Sequence, residues 1–69
     1  MSRRSTPERI AAAWEAGTRT WLRSTMHQPA DRVDELLAGW AIEAEARGLR
    51  RLDSAYWNEA RPWLEERAD

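Results

Sequence analysis

The chain has 69 residues, a formal charge of −1 and no cysteine, so it can hold one small domain but no disulfide, thiolate nucleophile or Cys-based zinc site. Eleven basic residues, all Arg, are balanced by twelve Asp and Glu, which removes the field of a generic nucleic-acid or membrane binder. A lone histidine, His27, cannot build a His-rich metal site, and neither a metal nor an organic cofactor is expected.

No apolar run approaches the roughly eighteen residues that span a bilayer, and no signal-peptide pattern opens the chain. The expectation is a cytoplasmic protein with no membrane partner. Five Trp stand against no Phe. In a chain this short, large aromatic rings substitute for the missing staples.

Residues 1–6 read as a flexible basic tail carrying Arg3 and Arg4, and residues 7–69 as a single domain. Ser5 and Glu8 have capping-box spacing, and Pro7 suits a first helical turn. Ile10, Trp14, Gly17 and Trp21 then recur at helical steps, which predicts a first helix over about 7–25 with that line buried. Leu22 lies beside the line and widens it. Arg9, Glu15, Arg19 and Arg23 fall on the other side, with Glu15 and Arg19 spaced for an i,i+4 ion pair.

Pro29 breaks the pattern and fits the first position of a second helix, over about 30–47. Asp31, Asp34 and Glu35 crowd its first turns, where negative charge suits the macrodipole. Val33, Leu36, Leu37, Trp40 and Ala44 form its predicted buried stripe. Gly48 reads as a left-handed C-cap, with Leu49 as the apolar contact that follows.

Asp53 or Ser54 can cap a third helix over about 54–67. Tyr56, Trp57, Ala60, Trp63, Leu64 and Ala68 share one arc of it, and Pro62 projects opposite. Water can satisfy the carbonyl that Pro62 leaves unpaired on that wet side, so one kinked helix is predicted rather than two. The predicted fold is therefore all-α: a small three-helix bundle with a Trp-rich core, consecutive helices antiparallel. Trp21 and Trp63, near helix ends, are the rings expected to reach the surface.

Chemistry has little to work with. The carboxylates are not spaced into a shared pocket that would drive two pKa values apart, and three short helices are too few to enclose a substrate cavity of several hundred Å³. No enzyme and no small-molecule substrate are expected.

Two non-catalytic surfaces remain. Ala38, Gly39, Ile42 and Ala46 lie opposite the stripe of helix two and form a small-large-small ridge that a partner helix, or a second copy of the chain, could approach. The leading expectation is therefore a protein-interaction module, an accessory or regulatory subunit that self-associates or docks on a protein. The alternative is a small DNA-binding regulator. Ala44, Gly48 and Leu49 have spacings similar to a helix-turn-helix, with Arg47, Arg50 and Arg51 at the turn and Arg3 and Arg4 as an arm. Against it, Asp53 and Glu59 oppose the basic face that phosphate contacts require.

Overall fold

The computed structural model describes residues 6–68. Three helices, α1 (Pro7–Ser24), α2 (Ala30–Ala46) and α3 (Ser54–Arg67), pack as an all-α three-helix bundle, and the described residues contain no strand. Each helix touches the other two.

The helix ends follow from local chemistry. At α1 the cap is Thr6, whose hydroxyl accepts from the Arg9 amide at 3.2 Å, with Pro7 just inside the helix. The expected cap Ser5 lies outside the described residues, as do Arg3, Arg4 and most of the expected tail; Thr6, the last residue of that tail, is the extended residue that caps the helix. Pro29 stands at the N-cap of α2, one residue before its expected place, and supplies no side-chain cap. Asp53 holds the same position for α3.

The end of α2 is a Schellman motif. Gly48 takes a φ of 76°, its amide donates to Glu45 O at 3.0 Å, and the Leu49 amide donates to Ala44 O at 2.8 Å. Only a residue without Cβ adopts that φ freely, and Leu49 then folds back onto the core. Across the other connection, His27 is also left-handed, at φ 55°. The Gln28 amide side chain there donates to Met26 O at 2.9 Å and Ala68 O at 2.7 Å, which ties this loop to the end of α3.

Pro62 is exposed within a continuous α3, so the helix is not broken there. Asn58, whose carbonyl loses its donor, is exposed as well.

The core forms as expected along α2 and α3. Val33, Leu36, Trp40 and Ala44 meet Tyr56, Trp57, Ala60, Leu64 and Ala68, with Leu37 and Trp63 partly buried against them. Trp40 is the largest side chain fully removed from water. Its ring meets Tyr56 edge-on at 5.6 Å and Trp63 at 5.7 Å, and Tyr56 meets Trp57 at 4.8 Å, distances at which aromatic quadrupoles attract.

On α1 the buried line differs from expectation. Ala11, Thr18 and Leu22 are buried, whereas Ile10 is 38% exposed, Gly17 is exposed and Trp14 is half-buried; Trp21 is half-buried too, as expected of a ring near a helix end. The helix is turned by about one residue, or roughly 100°, from the predicted orientation. Small side chains explain it: Ala11 and Thr18 let the other helices come close, and the Thr18 hydroxyl needs no outside partner because it donates to Trp14 O at 2.8 Å. Leu22, expected at the margin, becomes the central α1 contribution to the core.

Candidate functional site

The ridge of α2 is only partly as expected. Ile42 is 75% exposed, and Ala38 and Ala46 are exposed beside it. Gly39 is not on that open face. It is half-buried under Trp63, and a Cβ added at Gly39 would lie 3.1 Å from Trp63 Cη2. Position 39 is thus a helix-packing glycine, and the open ridge consists of Ala38, Ile42 and Ala46. Exposed Glu35 and Glu45 flank it; Glu35 accepts from Arg32 at 3.0 Å, while Glu45 has no ion-pair partner among the described residues.

The arginine loop is engaged within the chain. Arg47 donates to Glu43 at 2.8 Å and to Glu59 at 3.1 Å, and its guanidinium lies 5.1 Å from the Trp40 ring centre. Arg51 donates two hydrogen bonds to Glu15 Oε1, at 2.9 and 3.3 Å. The Arg51 carbonyl accepts the Trp57 indole N–H at 2.8 Å, which pins the loop backbone. Of the three candidate contacts, only Arg50 is exposed without an ion pair among the described residues. Arg47, Arg50 and Arg51 therefore do not form one unopposed basic face.

Glu15 and Arg19 do not face away from the bundle as predicted. Glu15 joins Arg51 to Arg19, which donates to it at 3.1 Å, and Arg19 continues to Asp34 at 2.7 Å. This chain of four charges links the loop, α1 and α2. The hydrogen bond from Arg51, helped by that from Arg19, holds the Glu15 carboxyl below the usual carboxylate range against a smaller opposing effect of burial. Burial pushes the nearby Tyr56 phenol up from its ordinary value.

Two clefts flank α1. One, about 360 Å³, lies over the Glu15–Arg19–Asp34 network; the other, about 440 Å³, runs between α1 and α3. Both reach the size thought too large for three short helices, but both are grooves open to solvent rather than enclosed cavities. The α1–α3 groove is lined by Ala13, Trp14, Gly17 and Thr18 on one side and Trp57, Asn58 and Arg61 on the other. Arg61 lies 4.5 Å over the Trp21 ring. Sequence reasoning missed this groove by assigning Trp14 and Gly17 to the interior. Gly17, a glycine in mid-helix with no turn to make, was the available signal.

No protein-family model matches the chain, and neither does any curated protein or solved structure. No helix among the described residues is long and apolar enough to cross a membrane.

Proposed function

We propose that this chain is a non-enzymatic protein-interaction module whose docking face is the outer side of α2. The observation that carries it is Ile42, a large aliphatic side chain left 75% exposed between Ala38 and Ala46 on a well-formed helix. Small neighbours allow another chain to come close, and covering Ile42 removes apolar surface from water at about 25 cal/mol per Å². The DNA-binding alternative is disfavoured because Arg47 and Arg51 are neutralised by carboxylates of this chain.

Photo-crosslinking from a benzophenone side chain at position 42, in cells making the protein, tests this. The expected adduct is a polypeptide, either this chain or another, and it is lost when Ala46→Glu is added. Absence of any polypeptide adduct from position 42, with nucleic-acid adducts formed instead from position 50, would overturn the proposal.

A further inference from the structure

Resting on that docking face, we infer that the partner is a second copy of this chain, and that copies join head to tail: the Ile42 ridge of one seats in the α1–α3 groove of the next, over Gly17.

The groove first needs an explanation of its own. A glycine in a helix interior destabilises it by roughly 0.5–1 kcal/mol relative to alanine. Gly39 has a reason to be glycine, since Trp63 lies against it. Gly17 has none within the chain, because a Cβ there would meet nothing within 4 Å. Trp14, half-buried against the core, lines that gap, and Trp21, also half-buried, lies under Arg61 at the groove's edge. The fold thus leaves Trp14 and Gly17, the middle of the most hydrophobic stripe of this helix, at a groove. A missing side chain marks its middle.

The ridge supplies the complement. Ile42 projects from α2 with alanine on either side, a single knob opposite a single hole. Charge agrees with shape. No carboxylate lines the groove, and Arg61 at its edge has a ring beneath it but no ion pair among the described residues. Glu45, one turn from Ile42 and likewise without an ion pair, brings the opposite sign. Because α2 packs on both other helices, its outer side and the α1–α3 groove face opposite ways. A contact between such surfaces is heterologous, so each added copy exposes a fresh ridge or groove.

Sedimentation velocity of the full chain over a range of concentrations tests this with three samples. Wild type is expected to grow in average mass with concentration. Ile42→Asp, which removes the knob, and Gly17→Leu, which fills the hole, should each raise the midpoint concentration by about tenfold or more. Circular dichroism should show both variants folded, since neither position is packed within the chain. The deciding sample is an equimolar mixture of the two: Ile42→Asp keeps its groove and Gly17→Leu keeps its ridge, so one of each should pair and growth should stop at the dimer.

The charge pair gives a second check, in which Glu45→Arg and Arg61→Glu each weaken assembly and together restore it. If Gly17→Leu assembles like wild type while Ile42→Asp does not, the groove is not the acceptor and the inference fails, with the α2 face intact. A wild type that stays monomeric also overturns it; the proposed function then stands or falls on whether position 42 crosslinks a different polypeptide.

Discussion

The Trp63 ring lies on the backbone of Gly39, close enough that a methyl group at position 39 would come to 3.1 Å from Cη2. This contact lets α3 approach α2, and Trp63 is held from outside by the Arg67 guanidinium, 4.0 Å from the ring centre. The two helical glycines should consequently respond in opposite ways to substitution. Gly17→Ala meets open space and should stabilise the fold by about 0.5–1 kcal/mol through helix propensity. At position 39 the same gain is opposed by displacement of the ring, and Gly39→Leu should cost about 1–3 kcal/mol by overpacking. Urea unfolding of the three variants checks the ordering; a Gly39→Leu variant as stable as wild type would show that Trp63 does not fix the helix spacing.

The Glu15 network sets a pH dependence. Its carboxyl is held below the ordinary value of 4.5 by the Arg51 hydrogen bond first and the Arg19 bond next. A group with a depressed folded pKa stabilises fully above its unfolded pKa, and the contribution disappears as pH falls through the folded one. Stability should therefore decline as pH falls below the ordinary value of 4.5 and through the lowered one. Glu15→Gln should lower stability at neutral pH and flatten that decline. Thermal melts across the range, repeated with added salt to screen the exposed partners, provide the measurement.

How much of this was legible beforehand depended on how local each determinant is. Helix ends rest on Pro7, Gly48 and the Leu49 fold-back, which act within a few residues, and the expected bounds agree with the observed ones to within one position. The α3 arc was legible because Tyr56, Trp57 and Leu64 are unambiguous in size and Pro62 marks the outside. The orientation of α1 was not, because periodicity weights Trp14 and Trp21 above Ala11 and Thr18, whereas close packing of three helices selects the small residues. Pairing of Arg51 with Glu15, 36 residues apart, has no sequence signal at all. Since the candidate groove exists only because α1 is turned, it was hidden by the same error.

Buried indoles differ in a way that substitution can read. Trp57 donates to Arg51 O at 2.8 Å, whereas the buried Trp40 Nε1 finds no acceptor among the described residues. Replacing each Trp with its benzothiophene isostere removes the donor and preserves the shape. At position 57 this should cost about 1 kcal/mol and speed amide exchange in the Arg50–Asp53 turn. At position 40 it should be neutral or stabilising, because an unpaired donor leaves the core. Equal losses at both positions would mean that Trp40 has an acceptor in solution, such as a buried water.

The last prediction separates neighbours in the loop. Arg50 and Arg51 are adjacent and both exposed, but only Arg51 is tied down, through its guanidinium to Glu15 and its carbonyl to Trp57. Arg50→Glu should therefore shift stability by no more than about 0.5 kcal/mol, the usual range for a surface change away from such ties. Arg51→Glu removes the partner of Glu15 and sets a second carboxylate beside it, so it should destabilise clearly, and less so at pH values low enough to protonate both acids. If the loop served DNA, the two reversals would weaken a salt-sensitive gel shift alike, irrespective of their different effects on folding. Under the protein-interaction proposal, neither changes retention on DNA, and only Arg51→Glu changes the melting temperature.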